Sequence, residues 1–171
     1  MKPIVFFLIL FSLDFFLFSW AGASEDAHQL FRIERSKNKN IVQYDIRPME
    51  EWDPSGGGAV VVYWILENGE KRGLSAIQDK YAYGIDSQKR LGENQYEIVL
   101  TAFKDRPITI KKTGSGYKAF TVIDGREGIL ERIYVESRER LLGLPPSVLF
   151  IDLFGRDGQT DLPLTERILL Q

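Results

Sequence analysis

YKAFTVIDGREGILERIYVES, residues 117–137, decides the class of fold. Asp124-Gly125 is a two-residue turn signal, because both central residues of the favoured hairpin turn need positive φ, which Asp and Gly tolerate. Tyr117–Ile123 and Gly128–Ser137 therefore read as the two arms of a hairpin. Working outward, the same grammar of short alternating runs and turn residues recurs. Upstream, Leu30–Arg35 places Phe31 and Ile33 on one face, Lys37-Asn38-Lys39-Asn40 turns the chain, and Ile41–Arg47 sets Val42, Tyr44 and Ile46 against Gln43, Asp45 and Arg47. Pro48–Gly58 reads as a loop, and its three closing glycines precede a strand, not a helix. Tyr96–Phe103 and Pro107–Lys111 are further strands. Downstream come a loop at Arg138–Pro146, a strand at Val148–Phe154, a loop from Gly155 to Gly158, and a last strand at Leu164–Leu170.

Val60–Leu66 is apolar on both faces, which predicts a central strand covered on both sides. Asn68-Gly69 closes it with a tight turn. Ser75 and Gln78 then fit a capping box. The helix they start should run to about Tyr83 and stop at a left-handed Gly84. So short a helix must pack on something. With Ile77 and Tyr81 at helical spacing, the expectation is a packed corner of Trp64, Ile77 and Tyr81. The sum is a single mainly-β domain, an antiparallel barrel or sandwich of about nine or ten strands with one short helix. A closed barrel is preferred because closure removes exposed edges.

The first 23 residues differ from the rest. Lys2 precedes the apolar run Ile4–Leu13, Phe15–Trp20 continues it, and Ala21-Gly22-Ala23 ends it with small residues. This reads as a secretory signal peptide cut after Ala23, leaving one domain over 24–171. Asp14 argues against an anchor, since a carboxylate at the bilayer centre costs about 2.5–3.5 kcal/mol. The expected destination is soluble, periplasmic or secreted, with no membrane insertion after cleavage. The chain has no cysteine, which removes disulfides and a lipid-bearing Cys, and its net charge of −2 gives no basic footprint for nucleic acid.

The chemistry open to the chain is narrow. Its single histidine, His28, lies in a polar start that should be frayed, so a positioned Ser–His–Asp arrangement is not expected. Without cysteine there is no thiol nucleophile and no thiolate metal site. No glycine-rich loop joins a strand to a helix, so no phosphate cradle is expected, and no cofactor. Asp157–Asp161 has the wrong ligand order for a calcium loop and reads as a polar turn. The remaining candidates are residues that break the alternation rule or combine an apolar body with a polar tip. Glu131 shares a face with Ile129, Ile133 and Val135, and is expected to be at least partly buried and paired with Arg35, or alternatively with Arg47. Asp152 lies between Phe150 and Phe154, and Arg35 follows Phe31 and Ile33. Tyr63, Trp64 and Tyr81 complete the set. The alternative for these charges is a strand end or a structural ion pair.

Taken together, LFRIERSKNKN at 30–40, VYWILENG at 62–69, KYAYGI at 80–85, LERIYVES at 130–137, LFGRDGQT at 153–160 and ERI at 166–168 resemble a family of exported bacterial proteins known as a domain of unknown function, number 4833. The resemblance implies export and a single domain, and it carries no activity, ligand or catalytic residues. The exclusions favour a non-catalytic binding module for a small apolar or amphipathic ligand or an envelope partner. A carboxylate-dependent hydrolase of an envelope sugar or peptide, and a structural or interaction domain, are the alternatives.

Overall fold

The computed structural model describes residues 29–47, 58–138 and 147–170. The expected signal peptide, His28 and most of the two expected loops lie outside these residues. Eleven strands form one sheet: β1 Gln29–Arg35, β2 Asn38–Ile46, β3 Val60–Ile65, β4 Lys71–Gly73, β5 Ile85–Gly92, β6 Gln95–Leu100, β7 Phe103–Thr113, β8 Gly116–Ile123, β9 Arg126–Arg138, β10 Ser147–Asp157 and β11 Pro163–Leu169. Between β4 and β5 lies one helical segment, α1, a single turn at Ala76–Gln78 continued by a π-helical turn at Asp79–Tyr83.

The main path runs β4-β3-β2-β1-β9-β8-β7-β6-β5, with β10 on β9 and β11 on β10. Strand β9 is the branch point. Its start pairs with β8, Arg132–Val135 pair with β1, and its other edge pairs with β10 along most of its length. All pairs are antiparallel except β1–β9, which is parallel. The fold is thus the expected mainly-β domain in the form of a curled half-barrel, open between β4 and β5. The helical segment links these two ends in sequence. The curl brings the start of β3 near β5: a Cβ on Gly58, just before β3, would collide with the Gln88 side chain on β5.

The core follows the strand period. Phe31 and Ile33 of β1, Val42 and Tyr44 of β2, Ile98 of β6 and Ile110 of β7 all point inward. The Phe31 and Tyr44 rings stack at 4.4 Å. The buried Tyr44 hydroxyl donates to the Tyr83 carbonyl oxygen, and burial pushes its pKa well up. The β10–β11 hairpin folds across β7 and β8, where both terminal nitrogens of the Arg106 guanidinium donate to the two Glu166 oxygens. Between these layers, the space lined by Ile108, Leu130, Ile133 and Leu153 has no room for a water.

Several local expectations need correction. Strand β3 is not central: it lies next to the terminal strand β4, and its outer residues Val61, Tyr63 and Ile65 are only half-buried. Residues 155–157 are strand, not loop. Gly84 has φ −69°, not a left-handed value. Glycine is needed there because a Cβ would lie 2.1 Å from the Asp79 carbonyl oxygen. The capping box is present, with Ser75 Oγ accepting from Gln78 N. The segment then widens: Gly84 N donates to Asp79 O, an i→i+5 bond. This π register turns the inward face from Tyr81 to Tyr83. Ile77 and Tyr81 are accordingly 72% and 66% exposed, and the predicted corner forms instead from Trp64, Gln78 and Tyr83.

Candidate functional site

Arg35 is the last residue of β1, where the core face of the sheet runs out. Its guanidinium lies 4.6 Å from the Trp64 ring centre and 5.9 Å from that of Tyr83. It donates from Nη1 to Tyr83 Oη at 3.2 Å and from Nη2 to Asn38 Oδ1 at 3.1 Å. Its Nε is buried with no acceptor. Among the described residues no carboxylate pairs with it. Trp64, on β3, is buried; its indole N–H donates to Gln78 Oε1 at 3.2 Å, and its ring meets Tyr83 edge-on at 5.2 Å.

An open cleft of about 400 Å³ lies over this corner. Arg35, Trp64, Leu66, Arg72, Leu74 and Gln78 form most of its wall. Arg72 enters because β4 pairs with β3 in a register that sets it directly across from Trp64. Cross-strand partners share a face, so the second arginine stands beside the indole. Arg72 also meets Glu70 at 3.2 Å, a pair about half exposed on both sides.

The six sequence candidates divide accordingly. Arg35 and Trp64 come together in this cleft. Tyr63 points to the other face, where its hydroxyl donates to Asp45 and its ring lies 5.3 Å from Lys71 Nζ. Tyr81 stands exposed on the helical turn beside Lys80. Glu131 is not buried and does not meet Arg35. Arg132 pairs with Phe154 and Leu130 with Gly155, so Glu131 is the extra residue of a β-bulge. The bulge changes the inward phase of β9, leaving Leu130 and Ile133 buried and Glu131 outward, where it accepts from Arg156 Nε at 2.9 Å.

Asp152 lies on the outer face, beneath Arg167, which donates to both its oxygens at 2.7 Å. Arg167 holds the Asp152 carboxyl below the usual carboxylate range against the opposing effect of burial. Arg167 also covers the Phe150 ring at 3.9 Å, and Arg132 covers Phe154 at 3.8 Å. Glu131 borders a second open cleft, of about 520 Å³, with Arg32, Lys118 and Arg132, and Asp152 does not line it. The two carboxylates therefore do not face one another across a shared cleft, and each has its own arginine.

A third open cleft, of about 650 Å³, lies between β3 and β5 beside Arg47. Among the described residues no three His, Asp or Glu side chains are grouped to hold a metal ion. No described helix is long and apolar enough to cross a membrane. Asp157 Oδ1 accepts from the backbone N–H groups of Gln159 and Thr160, which makes the 157–161 segment a polar turn.

Arg72, Gln78 and Tyr83 were not legible as site residues. The first depends on strand register and the other two on the π turn. These features define a mainly-β domain of the curled-sheet class, with a filled core and shallow clefts on its surface. The chain belongs to the family described as a domain of unknown function, DUF4833, whose model matches residues 31–167. No curated protein and no solved structure matches it.

Proposed function

We propose that this chain is a non-catalytic binding module that takes a small amphipathic ligand in the cleft over Trp64. The observation that carries this reading is the pairing of an apolar wall with an unsatisfied polar group. Trp64, Leu66 and Leu74 supply the wall, and Arg35 brings a guanidinium whose Nε has no acceptor and whose charge has no carboxylate partner among the described residues. Buried polar groups in native proteins are nearly always paired, so an exception asks for an explanation. A cleft of this volume falls within the usual range for small-molecule sites. The filled core argues against an apolar ligand enclosed in the half-barrel. A hydrolase reading finds little support, because acid–base work needs one carboxyl poised to give up a proton. Asp152 is instead held ionised under Arg167.

The proposal includes export, with cleavage after Ala23 and a soluble periplasmic or secreted domain. Native mass spectrometry of the protein purified from its own host tests both parts. The expected species begins at Ser24 and carries one retained small molecule per chain. Protein that keeps Met1 contradicts export, and protein that is empty and also fails to take up amphipathic dyes contradicts the binding reading.

A further inference from the structure

The geometry points to an anion as the polar end of that ligand: a carboxylate, sulfonate or phosphate gripped between Arg35 and Arg72, with a flat apolar body against Trp64. This inference rests on the binding reading above and deepens it by naming the ligand's chemical class. Two guanidinium groups line the cleft, and among the described residues no Asp or Glu lines it; Glu70 meets Arg72 from outside the lining, in a pair half exposed to solvent. Both guanidinium groups stay charged at any physiological pH. Among the described residues Arg35 is held only by neutral partners, the Tyr83 hydroxyl and the Asn38 amide, and by the faces of two aromatic rings. A part-buried cation without a counter-charge is unfavourable, and an incoming anion removes that cost. A cationic ligand would add a third positive charge to the same space.

Asn40, Ser75 and Gln78 also border the cleft but bring no charge. Ser75 Oγ and Gln78 Oε1 are occupied by the capping box, and Asn40 Oδ1 accepts from Glu67 N. With these acceptor oxygens occupied, the cleft offers a ligand mainly donors, and its charge comes from the arginines. The planar fork of a guanidinium matches carboxylate and phosphate oxygens in pairs, which gives a geometric as well as a coulombic preference. The cleft beside Arg32 and Arg132 differs in that both of its arginines already donate to the Glu34 carboxylate, whereas in the Trp64 cleft only Arg72 meets a carboxylate, the half-exposed Glu70, and Arg35 meets none among the described residues.

Two dyes with the same aromatic body separate the claims. 8-Anilinonaphthalene-1-sulfonate carries an anion, and N-phenyl-1-naphthylamine is neutral. Fluorescence titration of the full chain should show the sulfonate bound at least about tenfold more tightly than the neutral dye, as expected for a charge-assisted grip. That preference should fall about tenfold in Arg72→Gln and in Arg35→Gln, and recover in part in Arg72→Lys, which restores charge without the fork. Trp64→Phe should weaken both dyes. If the two dyes bind equally and Trp64→Phe weakens both, the cleft is right and the anion inference is overturned. A sulfonate preference that survives both arginine substitutions also overturns it. If neither dye binds, the binding reading itself fails and takes the inference with it.

Discussion

Replacing Trp64 by alanine removes the largest side chain at the junction between β3 and the helical turn. The ring is 5% exposed, so nearly all of it leaves a packed site. Large aromatic-to-alanine changes in cores cost about 3–5 kcal/mol, less where the surroundings can collapse or water can enter. Here one side opens onto the cleft, which places the expected loss near the lower end, about 3 kcal/mol. The edge contact with Tyr83 and the stacking of Arg35 are part of that figure, not additions to it. Gln78 is not orphaned by the change, because its Oε1 still accepts from Ser75 N. In urea, with a slope of about 1.5 kcal/mol per M, the midpoint should fall by about 2 M. Tyr81→Ala should barely move it, since that side chain is 66% exposed. A Trp64→Ala loss under about 1 kcal/mol would refute the packed junction. Equal losses in Trp64→Ala and Tyr81→Ala would refute the π register that turns Tyr83 inward.

Three other outcomes follow from named contacts. Glu131→Gln should melt with the wild type, because the Glu131–Arg156 pair is half exposed, whereas Asp152→Asn should melt lower; thermal melts that reverse this order would contradict the bulge at Glu131. Acid should destabilise the fold. Arg106 holds the Glu166 carboxyl below its ordinary range and Arg167 does the same for Asp152; at Glu34, hydrogen bonds from Arg132 and Arg32 outweigh the raising effect of burial. Because these folded values lie below the unfolded ones of about 4, the stabilisation is complete above that pH and is lost as pH falls through the folded values. Urea midpoints should therefore be flat near neutrality and fall below about pH 4, with a shallower fall in Glu166→Gln. Gly155→Ala should cost about 1–3 kcal/mol or more, since its Cβ would sit 2.1 Å from the Ile129 carbonyl oxygen, while Gly114→Ala, where nothing lies within 4 Å, should cost far less.

What could be read from the sequence were the features that local chemistry dictates. The Asp124-Gly125 hairpin is present with both residues at positive φ, 51° and 75°. The alternation in β1, β2 and β6 named the core faces, and Ser75–Gln78 named the start of the helical segment. Register and shape were not legible. The bulge at Glu131 lies where the pairing of β9 with β10 shifts register between Phe154 and Gly155, a contact between strands with no trace in the alternation of β9. The parallel pairing of β1 with β9 joins segments about a hundred residues apart, and no local signal encodes strand order. The π turn converts a regular i, i+4 expectation at Ile77 and Tyr81 into an i, i+5 face at Gln78 and Tyr83. For the same reason, Arg35 and Trp64 could be named from the sequence while Arg72 could not, since its place beside the indole exists only in the β3–β4 register.

The most direct test of the account is a nitrogen-15 spectrum of the labelled protein during titration with 8-anilinonaphthalene-1-sulfonate. The indole N–H of Trp64 donates to Gln78 at the back of the cleft, so its resonance reports occupancy of that site. The account predicts a saturable shift of the Trp64 indole signal together with the side-chain Nε–H signals of Arg35 and Arg72. Shifts confined to Arg32 and Arg132, or no saturable shift at Trp64, would contradict it.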